Sequence, residues 1–449
     1  MFNNYPVKSL HMAKVVILGT GISAFGAANR LKSERTDVVL YDKNSFHGGH
    51  TVSLKYKEGF TFDIGPHVSF TSDTRIQEML AANVDGQFDT HDYKFTNYWK
   101  GYWLGHPAQT NLYGLPPEVV VRIIADFVEQ SGKQVDIKNY EDWLLVAYGR
   151  TFAEQFPGQY TYKYHTTPAH NLTTDWMGPR MYRPKLEEML HGALSPITPN
   201  VHYIQKFRYP KQGGFSAYLS KWAATMHMEL NHEVVRIEPR PRQVTFKNGL
   251  KTGYDALISS IPLPELVKLI AGIPRDVVSA AEQLACSACV LVNVGVGRDD
   301  FSDTHIDYFY DLDVIFPRIS YPHMMARSNT PPGCGSVQVE IYFSPKYRPF
   351  VGKPEDYIEP TVRDLIRCGV LREDDKIVFK DAVHIPYANI IFDHDRAAAL
   401  KRVHDYLDEI GIQPCGRYGE WGYFWTDDSI KSGERAAEKA LVRLGNASN

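Results

Sequence analysis

The chain has 449 residues and a formal net charge of −3, from 49 basic and 52 acidic side chains; 43% of it is hydrophobic and 22% charged. That length exceeds what one hydrophobic core serves, so about two or three lobes are expected. The balanced charge excludes a nucleic-acid-binding field, and no run approaches the ~18 apolar residues of a membrane-spanning helix. Five cysteines make no disulfide framework and suit a reducing cytoplasm. Residues 1–13 lack the apolar centre of a signal peptide, and peripheral membrane attachment stays open.

Residues 14–18 read as a short buried strand running into Gly19-Thr20-Gly21-Ile22-Ser23-Ala24, then a helical pattern through Ala27, Ala28 and Leu31. Residues 38–41 form a second strand, which ends on Asp42 with Lys43 beside it. Gly19 permits the tight turn out of the strand, and Gly21 lets the backbone approach a pyrophosphate. The N–H groups of Ile22, Ser23 and Ala24 lie at the positive end of the helix dipole and can bind that anion. Ala24 stands where a third glycine commonly packs helix against strand. Asp42, about 20 residues on, can accept from a ribose diol. The plain alternative is a glycine-rich turn in an ordinary α/β domain. Gly48-Gly49-His50 and Phe62-Asp63-Ile64-Gly65-Pro66-His67 follow. A nicotinamide fold has no need of that second glycine pair and a flavin fold has, so the expected cofactor is FAD.

Further along, 95–105 turns aromatic, with Tyr98, Trp99, Tyr102 and Trp103 close together. Segments 119–128 and 142–148 show helical apolar spacing, and the stretch to about 200 reads as a helical lobe. Segments 234–237 and 244–246 resemble a hairpin, and 255–260 a strand. Strand-like runs at 289–296, 307–310 and 337–343 suggest a sheet bordering a substrate cavity. A helix follows 398, then Gly416-Arg417, then a helix over 429–444. Cys286-Ser-Ala-Cys289 has no second ligand pair, and His202, His227 and His232 share no helix face, so no metal is expected. The expected class is α/β: a discontinuous Rossmann-like FAD-binding domain (1–94, 201–280, 396–449), a helical substrate lobe (95–200) and a mixed-sheet substrate domain (281–395).

These residues resemble the flavin superfamily that includes amine oxidases, protoporphyrinogen oxidase and UDP-galactopyranose mutase. The likeness is carried by the N-terminal motif, Gly48-Gly49-His50 and Asp63-Ile64-Gly65-Pro66-His67. It continues in Tyr160-Thr161-Tyr162-Lys163-Tyr164 with Leu172, Asp175-Trp176 and Arg180, and in Phe207-Arg208-Tyr209-Pro210-Lys211-Gln212-Gly213-Gly214. Gly416-Arg417 with Asp428-Ser429-Ile430 looks like the group's flavin-closing motif. The Gly65-Pro66-His67 triplet and Arg180 look like the mutase. Val68-Ser69-Phe70-Thr71 departs from its pattern, where a second histidine is missing. Asn111-Leu112 and Gly419-Glu420-Trp421 look more like oxidoreductase-like relatives.

The resemblance implies where FAD sits. Gly49 and His50 would lie near the phosphates or ribityl chain, and Gly65, Pro66 and His67 against the isoalloxazine, with the His67 imidazole at flavin N5 or the substrate. The backbone of Val234 or Val235 would meet the adenine edge. Gly416 would approach the pyrophosphate, with Arg417 orienting it. Asp428, Ser429 and Ile430 would open a helix aimed at the flavin N1–C2=O edge, unless Asp428 is simply an N-cap. Arg180 and Arg318 are the catalytic candidates beside His67, and with Arg183 and Arg208 they suit a diphosphate-bearing substrate. Tyr98 and Trp99 could stack on a base or sugar, although such clusters usually pack a core. Tyr162 and Tyr164 could reach a substrate hydroxyl, and Lys163 a phosphate.

Three functions stay open. The first is an FAD-dependent oxidoreductase passing hydride from a small polar substrate, with a sugar derivative as one candidate, to flavin N5. The second is a mutase in which reduced FAD interconverts pyranose and furanose nucleotide sugars. The third is a flavin-binding protein without turnover. The expected partner is a small molecule in the cytoplasm, with an electron donor or acceptor that the residues do not name.

Overall fold

The computed structural model describes residues 12–447; the segment 1–11, read above for targeting, lies outside them. The chain forms two compact units. The first gathers residues up to 50, 219–282 and from 398 onward, and the second holds 51–218 and 283–397.

In the first unit a five-stranded parallel sheet has the order Ile412–Pro414, Ala256–Ser259, Ala13–Leu18, Thr36–Tyr41, Met228–Glu229. Its central strand carries Val15, Val16, Ile17 and Leu18 at 0% exposure, as the unbroken apolar run requires of a parallel strand covered on both faces. The helix Ile22–Leu31 follows at once and packs on the long C-terminal helix Thr426–Ala447. Glycines permit that approach: a Cβ on Gly26 would lie 2.5 Å from the Ile430 carbonyl oxygen, and one on Gly433 1.9 Å from that of Ser23. The expected hairpin is present as Val234–Glu238 against Gln243–Phe246, with Lys251–Gly253 as a third strand.

The second unit is built on a seven-stranded sheet. Its order is Ile377–Ile385, Ala288–Val296, Gly335–Phe343, Arg318–Ser320, Ile306–Phe309, Phe95–Trp99, Tyr102–Gly105. The aromatic stretch at 95–105 is therefore a β-hairpin closing this sheet and not the start of a helical lobe. Its alternating residues suit a pleated surface. From residue 95 on, the first α-helix is Pro117–Gln130, followed by Tyr140–Tyr148, Arg150–Gln155, Pro157–Tyr164 and Leu186–Leu194. Two short ladders join the unit: Ser53–Lys55 with Thr61–Asp63, and Phe88–Asp92 with Lys206–Pro210.

Period-two alternation gives the large sheet two unlike faces. On one, Val290, Val292, Val294, Ile319, Val337, Val339, Ile341 and Phe309 form a core with Val362 and Leu365 of the helix Ile358–Arg367. On the other, register aligns Leu291, Glu340, Arg318, Tyr308 and Asn97 in one row across five strands. Gln338 and Tyr342 flank that row on the same strand as Glu340. Among the described residues no helix is long and apolar enough to cross a membrane.

Candidate functional site

The first unit carries a nucleotide-type constellation. Gly19 has φ +100°, and a Cβ there would fall 2.1 Å from the Ser260 hydroxyl oxygen, so the turn demands glycine. At Gly21 the opposite holds: a Cβ would meet nothing within 4 Å. Gly21 caps the following helix with no side-chain hydrogen bond, and no acidic residue stands in the first turn. The first-turn amides of Ile22, Ser23 and Ala24 lie at the positive helix end. The second glycine pair folds onto the first. Gly48 bridges Gly21 and donates its N–H to the Thr20 carbonyl at 2.9 Å, and a Cβ on Gly49 would lie 3.1 Å from the Gly21 Cα. Such a backbone cradle fits a dinucleotide pyrophosphate.

Asp42 ends the second strand as expected, but its carboxylate is already engaged. One oxygen accepts from the Thr20 amide (2.9 Å) and hydroxyl (2.7 Å), the other from the Asn44 backbone (2.9 Å) and side-chain amide (3.0 Å). About four acceptor positions exist on a carboxylate, so a ribose diol would exchange with one of these donors. Lys43 beside it is exposed. The His50 ring packs 4.7 Å from Tyr418. Val235 is the extra residue where the hairpin register shifts, and it is 45% exposed. Gly416 has φ +78° and donates its N–H to the Ser432 hydroxyl at 2.7 Å. Arg417 lies over the Tyr423 ring and donates to the Phe424 carbonyl.

The expected helix start at Asp428-Ser429-Ile430 needs correction. The helix begins at Thr426, and the Ser429 N–H already donates to the Trp425 carbonyl at 3.0 Å. Ile430, one residue further in, is fully buried under Gly26. These two amides are spent inside the helix. Asp428 accepts from the Trp425 N–H at 3.0 Å and closes the helix entry.

The second unit carries a constellation on the polar face of its large sheet. Arg318 and Glu340 sit opposite each other on adjacent antiparallel strands. The guanidinium binds the carboxylate through two nitrogens, Nε to Oε2 and Nη2 to Oε1, the latter at 2.9 Å. The Tyr342 hydroxyl donates to Glu340 Oε1 at 2.8 Å. Burial pushes the Arg318 pKa down, but Glu340 overrides it and holds the group above the usual guanidinium range. Burial, with Glu340 next, keeps the Tyr342 phenol protonated. Tyr160 and Tyr164, one turn apart on the helix Pro157–Tyr164, complete an aromatic surround: Tyr164 lies 4.7 Å from the Tyr342 ring and 5.6 Å from the Arg318 carbon. Arg318 keeps 19% of its side chain accessible despite these neighbours.

The Gly65–His67 loop belongs to this same constellation. A Cβ on Gly65 would lie 3.5 Å from Glu340 Oε1. Pro66 and His67 are half-buried, and the His67 Nδ1 lies 3.2 Å from the Gly65 carbonyl oxygen, with the ring 5.5 Å from Phe215. Behind the loop, buried Asp63 accepts from the Ser53 hydroxyl (2.5 Å), the Tyr209 hydroxyl (2.6 Å) and the Phe215 N–H (3.0 Å).

Other expected substrate residues lie elsewhere. Tyr98 is 8% exposed in the apolar core, and Trp99, at 3%, stacks on Phe156; both serve packing and not a ligand face. Lys163 is buried and donates to the Phe309 (3.0 Å) and Asp311 (2.8 Å) carbonyls, so it holds a loop and does not reach for phosphate. Burial brings its pKa to about 7. Arg180 is half-buried and donates to the Trp176 carbonyl at 3.2 Å. Arg183 is exposed, Arg208 lies 4.9 Å from the centre of the Phe88 ring, and Tyr162 is 44% exposed under Arg348. Arg318 is no free cation, since Glu340 neutralises it. Among the described residues no group of three His, Cys, Asp or Glu side chains could hold a metal.

Sequence reasoning missed Glu340, Tyr342, Tyr308 and Asp63 as site residues. The signal was available in Val337-Gln338-Val339-Glu340-Ile341-Tyr342-Phe343. Polar residues at period two in an otherwise apolar strand mark a second buried face.

Residues 17–82 match the family model of the NAD(P)-binding Rossmann-like domain. A curated relative, the 4,4'-diapophytoene desaturase (4,4'-diaponeurosporene-forming) of Staphylococcus aureus strain Newman, is 38% identical over 60 residues, which is 13% of this chain and 12% of that protein. The chain thus matches only 12% of the length of such relatives. Among solved structures, a reduced UDP-galactopyranose mutase superposes with TM-score 0.89 at 23% identity, covering 97% of this chain and 98% of that one. A candidate protoporphyrinogen oxidase from Exiguobacterium sp. 255-15 superposes with TM-score 0.73 at 14% identity, covering 97% and 100%. Residues 17–82 thus match an NAD(P)-binding Rossmann-like domain, and the chain as a whole shares its fold with these two solved structures.

Proposed function

We propose that the chain is an FAD-dependent oxidoreductase acting on a small polar substrate. The observation that carries this reading is the glycine cradle at an uncapped helix start in the first unit; the second unit by itself holds a tyrosine-lined Arg318–Glu340 pair against Gly65 of the Gly65–His67 loop. FAD, when bound, supplies a hydride acceptor at N5. The chain's own groups do the rest. The Ile22–Ala24 amides receive the pyrophosphate, Gly416 and Arg417 border it, and Asp42 and Val235 serve the adenosine end. Arg318 is held rigid by Glu340 and offers its remaining N–H groups to substrate hydroxyls or carbonyls. Tyr164 and Tyr342 supply ring faces and exclude water, and His67 takes or returns a proton at the substrate. A neutralised Arg–Glu pair suits an uncharged polar group better than a phosphate.

A second reading, a mutase using reduced FAD on a nucleotide sugar, is supported by the fold likeness to UDP-galactopyranose mutase over 97% of the chain. One experiment separates the two. The purified protein is loaded with FAD and mixed anaerobically with sugars, amines and UDP-sugars. Bleaching of the oxidised flavin by a substrate supports the oxidoreductase. Isomerisation of a UDP-sugar only after dithionite reduction supports the mutase, and a protein that takes up no FAD overturns both.

A further inference from the structure

Asp63 is a buried carboxylate that the reaction proposed above does not use. All three of its hydrogen-bond partners are donors: Ser53 and Phe215 on one oxygen, Tyr209 on the other. Gly214, at φ +72°, wraps it so closely that a Cβ would lie 3.0 Å from Oδ1. Asn329 donates to the Tyr209 hydroxyl from behind at 3.2 Å, and Gln338 donates to the Asp63 carbonyl at 2.8 Å. Tyr209 is the one titratable group among these partners, and burial keeps its phenol protonated. A cation stands near the same turn: a Cβ on Gly213 would lie 3.8 Å from Lys55 Nζ.

Two routes lead from this carboxylate to the His67 imidazole. Along the chain, Asp63 ends the strand Thr61–Asp63, and Gly65, whose carbonyl oxygen meets His67 Nδ1, lies two residues on. Through space, Asp63 fixes the Phe215 backbone, and the Phe215 ring packs on the imidazole.

We propose that Asp63 is a positioning residue for His67, its charge state setting how the Gly65–His67 loop and the Phe215 ring hold the imidazole. The ionised carboxylate accepts all three bonds. A protonated one must donate its O–H, so the Tyr209 or Ser53 hydroxyl turns to accept and the bonds around that oxygen, the Phe215 N–H bond on Oδ1 included, rearrange. Burial raises the Asp63 pKa to about 6, so both states are populated near neutrality. This proposal rests on the reading of His67 as a substrate-facing group only for its catalytic consequence; the coupling itself is independent of flavin and substrate.

The test labels histidine at Cε1 and tyrosine in the ring with carbon-13 and follows the His67 and Tyr209 signals, assigned with His67→Gln and Tyr209→Phe, from about pH 4.5 to about 8.5. In the wild type the curve should contain the imidazole's own step and a second step shared with the Tyr209 ring signal. Asp63→Asn, which keeps the shape, should lose the second step and leave Tyr209 flat. Superimposable His67 curves in wild type and Asp63→Asn overturn the proposal. If Asp63→Asn does not fold, Tyr209→Phe decides. Removing one donor should move the second step up by about one unit, and an unmoved step overturns the proposal. A silent flavin assay with an intact coupling would refute the functional reading alone.

Discussion

Glu340 accepts from Arg318 and Tyr342 at once, and it does so from the strand directly opposite Arg318 in the sheet. That single carboxylate turns an arginine suited to anions into half of a neutral pair. It also sets the charge that the polar face of the sheet presents.

Removing the counter-ion should therefore cost more than removing the pair. Glu340→Gln leaves the guanidinium largely buried without a full partner and should lower stability by about 3 kcal/mol. The double change Arg318→Met with Glu340→Leu should recover most of that loss. Urea unfolding of the two variants beside the wild type checks both; equal losses would show that the pair is not coupled.

Gly19 and Gly21, two residues apart, should answer differently to alanine. Gly19→Ala forces a side chain into φ +100° and onto Ser260; it should destabilise the fold by about 2 kcal/mol or more. Gly21 has φ −74° and open space around it. Gly21→Ala should keep the melting temperature of the FAD-free protein while lowering FAD affinity tenfold or thereabouts, about 1.4 kcal/mol. Thermal unfolding and a flavin fluorescence titration separate the two.

Close helix contact makes Gly433→Ala a test of the first unit. Its Cβ would fall 1.9 Å from the Ser23 carbonyl, and neither backbone can retreat without separating the helices. A loss of about 2–3 kcal/mol is expected from such overpacking, together with weaker flavin retention, since Ser23 belongs to the cradle. Unchanged unfolding would place the contact elsewhere.

Stability should carry the mark of Asp63 in its pH dependence. The folded-state pKa is raised from 3.8 to about 6 by burial. The folded form therefore binds the proton more tightly, and this contribution is fully present below about pH 4 and is lost as pH rises through 6. From well below pH 4 to well above pH 6 the wild type should lose about 3 kcal/mol relative to Asp63→Asn. Paired urea titrations at the two ends of that window measure the difference; a constant gap would deny the shift.

His67→Ala should abolish most turnover with FAD still bound, by about a hundredfold or more if the imidazole transfers a proton. Retained activity would remove His67 from the reaction.

Much of the first unit is legible in its residues alone. The strand Ala13–Leu18, the turn through Gly19 and Gly21 and the helix Ile22–Leu31 follow each other without interruption, so local backbone preference and apolar run length suffice to read them. The second glycine pair is legible too, and its packing on Gly21 follows from having no side chain. The aromatic stretch at 95–105 misleads because ring-rich segments fit helices and strands alike, and its partner strand Ile306–Phe309 lies some two hundred residues away. The C-terminal helix start is misplaced by its residues because Asp428 reads as an N-cap, while the real entry bond runs backward to Trp425.

The amino-acid sequence by itself determined the strand, the glycine turn and the helix that open the first unit, because they follow one another along the chain and need only local backbone geometry and apolar run length. Only the tertiary structure decided the chemistry of the other site. Whether Arg318 is a free cation or a neutralised one, and whether Asp63 is solvated or sealed under Tyr209 and Phe215, depends on partners 22 to 152 residues away. Charge state and hydrogen-bond capacity are set by what a side chain meets in space, and that meeting is made by strand register and burial.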